Sequence, residues 1–198
     1  LIKIMQDIGF KYQERIIWKK PEGYIRISRR RGVLIQHPYP LYFYPDNIYE
    51  EIVVFKKDGN FKPRNKEESK IDISRFQREK WYSNVWEITN VLPNNKLSKF
   101  TAPFPEELAR RVITLYSYVG DIVLNPFTGT GTTLKVAKEM GRDAIGYEID
   151  LELKEVIRER IPVNTLFGEE KVEFLEREDA KRLSSGMRTK IKERLENK

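Results

Sequence analysis

The sequence of 198 residues contains no cysteine, so neither a disulfide framework nor a thiolate metal site is available to it. Its single histidine, His37, excludes a site built from several imidazoles. No apolar run approaches the roughly 20 residues that a membrane-crossing helix needs, and nothing near the first residue reads as a secretory signal. The expectation is an intracellular, cytoplasmic protein with no membrane partner and no bound metal. None of the 10 prolines is adjacent to another, and no internal repeat is visible. The chain begins with Leu1 rather than methionine, which fits a fragment or an unusual start codon read literally.

What is present suffices for one domain with a core: 39% of the residues are hydrophobic and 34% are charged. The net charge of +7 is unevenly placed. Residues 1–100 hold 20 Lys and Arg against 12 Asp and Glu, whereas residues 101–198 hold 17 against 18. A basic surplus confined to one half suits a surface that faces a polyanion. A solvated, Lys/Glu-rich surface of a heat-adapted protein gives the same imbalance, and the two coexist.

The most informative stretch is Asp121–Asp150, DIVLNPFTGTGTTLKVAKEMGRDAIGYEID. Ile122, Val123 and Leu124 form a short continuous apolar run, as expected of a strand buried on both faces. Asn125 to Thr133 then carry Gly129, Gly131 and four threonines. Leu134, Ala137 and Met140 recur at helical spacing, and Gly141 supplies a stop. Ala144 to Tyr147 read as a second strand, ending at Glu148. Glycines in a tight turn let a ligand approach the amides at a helix N-terminus. A carboxylate at the tip of the next strand can accept hydrogen bonds from ribose hydroxyls. A triphosphate-binding loop would need a lysine after Gly131, and none is there. A dinucleotide fingerprint fits Gly129-Thr130-Gly131 but meets Leu134 where its third glycine belongs.

The run NPFTGTGTT, preceded by APFPEELARRVI and followed by GRDAIGYEID, closely resembles the S-adenosylmethionine-binding segment of beta-group amino DNA methyltransferases. The joined pattern is specific, and it implies the following. The fold is α/β with a Rossmann-like S-adenosylmethionine-dependent methyltransferase sheet. The cofactor is S-adenosyl-L-methionine and the substrate is double-stranded DNA, methylated on the exocyclic amino nitrogen of adenine or cytosine, as in restriction-modification. The turn Asn125, Phe127, Thr128, Gly129, Thr130, Gly131, Thr132 and Thr133 lines the methionine part of the cofactor. Glu148 binds the ribose and Asp179 the adenine amino group. Thr101 to Phe104 help hold the methionine end, with Thr101 and Phe104 as the named contacts. Where Asn125 stands the family usually has Asp, so a charge that complements the cofactor's ammonium is lost, at a cost of roughly 1–3 kcal/mol of affinity.

Three parts are expected along the chain. Residues 1–55 form a strand pair with an irregular, basic insert at 19–50, and 56–100 form a variable target-recognition or linker region. Residues 101–198 form the cofactor-binding half. Leu1, Ile4, Met5 and Ile8 have helical spacing, and the strands are Tyr12–Trp18 and Glu51–Phe55. In the insert, Arg29, Arg30 and Arg31 suit phosphate contacts, while Tyr39 and Leu41 to Tyr44 suit packing of the insert onto the domain better than stacking on bases. Residues 56–80 are polar and read as a loop; Lys56, Lys57, Lys62 and Arg64 either track a DNA backbone or form a solvated face. Trp81 and Trp86 suit anchors to a core. A helix is expected from Pro105 to Tyr116, with Leu108, Val112 and Leu115 as one stripe, and another from Leu151 to Arg160, ended by Pro162. Lys171–Glu176 alternates as a one-sided strand does, and Met187, Ile191 and Leu195 suit a last helix.

One part of the family's pattern is missing. Its members carry Asp, Asn or Ser followed by Pro-Pro and an aromatic, and no Pro-Pro occurs here. That motif holds the amino nitrogen of a flipped base for in-line methyl transfer, and no catalytic residue is therefore assigned. The family sheet has strand order 3-2-1-4-5-7-6. The N-terminal part of this chain supplies strands 7 and 6 and the C-terminal part strands 1, 2 and 3, leaving the sheet incomplete, with central strands 4 and 5 to come from a missing N-terminal segment or a second chain. The expected function is part of a DNA methyltransferase that is inactive alone; the alternative is a non-catalytic DNA-binding or partner subunit.

Overall fold

A computed structural model describes residues 1–21, 36–41, 48–61, 63, 65–91, 103–161, 164–165, 168–169, 172–179, 181–186 and 189. The chain divides into two units. One comprises Leu1–Pro63 with Lys70–Leu92, and the other Arg64–Ser69 with Pro93–Lys198.

In the first unit the apolar spacing at the start forms helix α1, Ile2–Asp7, and Gly9 breaks it at φ 97°. Strand β1, Phe10–Lys19, pairs antiparallel with β2, Tyr49–Lys57. The reading of 56–80 as a structureless loop is corrected. The first two of those residues finish β2, and helix α2 forms at Ile73–Arg78. Asp72 starts it by accepting a hydrogen bond from the Arg75 amide, as an N-cap does. Strand β3, Val85–Glu87, adds to the free edge of β1 in parallel, giving the order β2-β1-β3. Trp81 and Trp86 are buried as expected, with Trp86 Nε1 donating to the Trp81 carbonyl at 3.2 Å. Ile16, Trp18 and Ile88 complete the buried apolar set among the described residues of this unit. In the insert, the expectation of inward packing is corrected for Tyr39 and Leu41, which are exposed; Tyr42, Phe43 and Tyr44 lie outside the described residues.

The second unit is built on α3 (Glu106–Tyr116), β4 (Ile122–Asn125), α4 (Thr132–Glu139), β5 (Asp143–Gly146) and α5 (Leu153–Arg160). Strands β4 and β5 are parallel and joined by α4, a βαβ unit with Ile122 opposite Asp143 and Asn125 opposite Gly146. One core cluster joins Ala109 and Ile113 of α3 to Val136 and Ala137 of α4, with Phe104, Val123 and Met140 packed against it. The inward face of α3 is thus Ala109 and Ile113 with Leu108, while Val112 and Leu115 are only half-buried. A second cluster joins Leu153, Ile157 and Ile161 to Leu134, Val156, Val172 and Phe174.

Two expectations are corrected here. Strand β4 is covered on one face only: Val123 points into the core, but Ile122 and Leu124 are 65% and 59% exposed. Ile145 on β5, in register with Leu124, is open on the same side. A run of three apolar residues does not reveal which face will be covered. Residues 172–177 form no strand, although Val172 and Phe174 do face inward while their neighbours are exposed. The alternation is right, but a ladder also needs a neighbouring strand, and the second unit's parallel sheet holds β4 and β5 alone among the described residues. Two-residue strands β6 (Asn164–Thr165) and β7 (Gly168–Glu169) pair with each other instead. Residues 181–186 are helical, and the remaining tail positions of the expected last helix, Met187, Ile191 and Leu195, lie outside the described residues. No helix among the described residues is long and apolar enough to cross a membrane.

Candidate functional site

The site begins where β4 stops. Asn125 accepts the Phe127 amide on its side-chain oxygen at 3.0 Å and donates from its side-chain nitrogen to Thr133 Oγ1 at 2.9 Å. This one side chain therefore spans the turn from its first residues to the start of α4. The turn closes through Gly131 N–H donating to the Thr128 carbonyl at 3.0 Å. Gly129 and Gly131 have φ 56° and 82°, a left-handed conformation that costs a residue with a Cβ about 1–2 kcal/mol. A Cβ at Gly131 would also touch Ile157 Cγ1 at 3.4 Å. Helix α4 starts directly after Gly131, so the amides of Thr132 to Leu134 have no carbonyl one turn earlier within the helix. They form a positive helix N-terminus suited to an anionic group.

Glu148 lies two residues beyond β5 and is half-buried. One carboxylate oxygen accepts the Gly129 amide at 2.7 Å; the other accepts the amides of Ile149 and Asp150 at 2.8 and 2.9 Å. The carboxylate is fixed beside the glycine turn and ties the ends of β4 and β5 together. Thr128 N–H donating to the Tyr147 carbonyl at 2.9 Å and Tyr147 N–H donating to the Asn125 carbonyl at 3.0 Å extend the same seam.

The threonines brace this turn from inside. Thr128, Thr130 and Thr132 are buried. Thr128 Oγ1 sits over β5, only 2.4 Å from where a Cβ on Gly146 would be. Thr130 and Thr132 turn their hydroxyls to Arg160, the last residue of α5. Its Nη1 donates to the Thr130 carbonyl at 2.9 Å, Thr130 Oγ1 at 3.0 Å and Thr132 Oγ1 at 3.1 Å. Its Nη2 donates to Glu106 Oε1 at 2.8 Å, and Lys135 of α4 donates to both oxygens of the same carboxylate at 2.8 Å. Burial alone pushes the Glu106 carboxyl up, but the hydrogen bonds and charges of Lys135 and Arg160 outweigh that and hold it below its ordinary value. Nothing in the spacing of the sequence singled out Arg160 or Lys135. Glu106 left one local trace, an acid in the first turn of α3, and Gly146 another, a glycine inside a strand, which marks a close approach.

The other candidates are placed as follows. Phe127 is 87% exposed on the turn. Phe104 is half-buried and packs on the α3–α4 core. Asp179 forms ion pairs with Arg177 at 3.1 Å and Arg182 at 3.9 Å. Its segment is joined to the chain just after Glu148, because Leu151 N–H donates to Ser184 Oγ at 3.2 Å. Thr101, Arg29, Arg30, Arg31, Lys62 and Arg64 lie outside the described residues. Lys56 and Lys57 are exposed. Among the described residues no group of three or more His, Asp or Glu is placed to hold a metal ion.

Comparison with known proteins gives a consistent set of likenesses. The family model of N6/N4 DNA methylases matches residues 1–159. The type II methyltransferase M.MjaI of Methanocaldococcus jannaschii is 37% identical over 171 residues, covering 82% of this chain and 53% of that protein. M.MthZI of Methanothermobacter thermautotrophicus is 34% identical over 206 residues, covering 96% and 57%. Among solved structures, TTHA0409 of Thermus thermophilus, solved in complex with S-adenosyl-L-methionine, is 31% identical with a TM-score of 0.59, covering 79% of this chain and 55% of that one. The chain thus spans about half the length of the curated relatives it matches.

Proposed function

The chain belongs to the N6/N4 DNA methylase family, and on that premise we propose that it is the S-adenosylmethionine-binding portion of a DNA methyltransferase acting on the exocyclic amino group of adenine or cytosine, and that it does not transfer a methyl group alone. The observation that carries this reading is the Glu148 carboxylate held against the Gly129 amide at the mouth of a parallel β–turn–α–β unit.

The residues suit such a cofactor. The amides opening α4 are oriented for its carboxylate, and glycine at 129 and 131 keeps side chains out of the way. Glu148 is held by three amides and keeps one lone pair, on the oxygen that accepts the Gly129 amide, to accept from a ribose hydroxyl. Asp179 is assigned to the adenine amino group, and Thr101 and Phe104 to the methionine side. Asn125 is neutral and its oxygen already accepts the Phe127 amide, so it shapes the turn more than it balances the cofactor's ammonium. When bound, S-adenosylmethionine supplies an electrophilic sulfonium methyl. The arginines at 29–31, with Lys62 and Arg64, are assigned to phosphates of double-stranded DNA.

Inactivity of the chain alone follows from the lack of any Pro-Pro-aromatic run to hold the target nitrogen. The uncovered side of β4 and β5 supports a need for further polypeptide beside this sheet, supplied by a missing segment or by a second chain. Incubating the pure chain with labelled S-adenosylmethionine and mixed-sequence double-stranded DNA tests this directly. No transfer is expected from the chain alone, with transfer appearing once a polypeptide carrying the motif is added. Robust transfer by the pure chain would sink the claim of inactivity.

A further inference from the structure

The turn from Thr128 to Gly131 contains two glycines in left-handed conformations, and a glycine-rich backbone does not hold one shape unaided. Besides Asn125, which spans it from β4, two side chains from later in the sequence hold it. Glu148 holds its outer end through the Gly129 amide. Arg160 holds its inner end through three acceptors on the residues either side of Gly131, while Ile157, one turn earlier on α5, lies against Gly131 itself. Arg160 is well buried, with 14% of its side chain exposed, and Glu106 shares its charge with Lys135 on α4. A planar guanidinium can satisfy several acceptors and a carboxylate at once; an ammonium at the same place cannot span them all.

We propose that Arg160 is a positioning residue for the cofactor turn: its guanidinium fixes Thr130 to Thr132 so that the first amides of α4 stay presented to the ligand, and Glu106 couples this grip to the starts of α3 and α4. The proposal rests on the reading of this turn as the S-adenosylmethionine site. The side chain touches the turn from α5 and acts through it.

The test uses the whole chain with Arg160→Gln, Arg160→Lys and, as a control, Arg142→Gln. Arg142 is also buried and donates to the carbonyls of Ser117 and Met140, away from the turn. Calorimetry gives the Kd for S-adenosylmethionine, and residue-resolved amide hydrogen exchange reports the ligand-free chain. Arg160→Gln weakens binding about ten-fold or more and speeds exchange at 129–133 while β4 and β5 keep their protection. Arg160→Lys recovers part of the affinity. Arg142→Gln lowers the melting temperature but binds as the unaltered chain does. Wild-type affinity in Arg160→Gln, or exchange that rises uniformly through α3, α4, β4 and β5, overturns the proposal. If Arg160→Gln does not fold, Arg160→Lys decides: intermediate affinity upholds the role and unchanged affinity refutes it. If the unaltered chain binds no S-adenosylmethionine, the cofactor reading fails, and local against unchanged exchange still decides the role of Arg160.

Discussion

Gly146 is the residue at which the site tolerates least. A Cβ there would lie 2.4 Å from Thr128 Oγ1 and 2.8 Å from Leu134 Cδ1, so adding one methyl forces the Thr128 and Leu134 side chains out of their places between the turn, β5 and α4. Gly146→Ala is expected to lower stability by about 1–3 kcal/mol, as overpacking does; a urea midpoint equal to that of the unaltered chain would contradict the packing described. At this scale the sequence shows which residues share a turn better than it shows which groups they bond. Gly129, Gly131 and Glu148 stand where the motif places them. Thr130 and Thr132 share that motif, yet their hydroxyls are directed by Arg160, which lies 30 residues from Thr130 and 28 from Thr132. No local pattern encodes a bond of that separation. The Asn125 side chain could be read as a departure from Asp, but only the geometry shows its oxygen already engaged by Phe127.

Among elements, α3, β4, α4, β5 and α5 were legible because each has a strong period or a clear terminator. Pro105 precedes α3, and Gly141 follows α4 at φ 71°. Helix α2 was not, because it has only 6 residues and its one local signal is Asp72 as a cap. Residues 172–176 were misread because alternation reports which side chains are covered, and not whether a partner strand is present. The ion-pair group Arg160–Glu106–Lys135 ties α3, α4 and α5 together and sets a pH dependence. The Glu106 carboxyl is held below its ordinary value of 4.5 in the folded chain, so folding favours its charged form. That stabilisation is complete above the ordinary value and is lost as pH falls through the folded value. The unaltered chain should therefore melt higher than Glu106→Gln near neutral pH, with the gap shrinking in acid. A gap that stays constant from about pH 7 to about pH 3 would count against the linkage.

For the molecule as a whole, two features belong together: the chain spans about half of each relative, and the sheet of its second unit is open on one side. Ile122, Leu124 and Ile145 are apolar residues on strands, and strands with one bare apolar face ordinarily acquire a covering layer. The α/β class and the parallel β4–β5 order were readable from the motif, because a helix between two strands of one sheet ordinarily serves as the crossover that parallel pairing needs. The extent of the sheet was not, since it depends on which strands find neighbours. The central claim is that this half-sheet carries a cofactor pocket at the Gly129–Glu148 seam. Its most direct test is calorimetric titration of the chain with S-adenosyl-L-methionine, beside Glu148→Ala and a dinucleotide control. The account predicts saturable binding at one site, at least about ten-fold weaker in Glu148→Ala, and none of the dinucleotide. Absence of S-adenosylmethionine binding by a folded chain, or equal binding by Glu148→Ala, would contradict it.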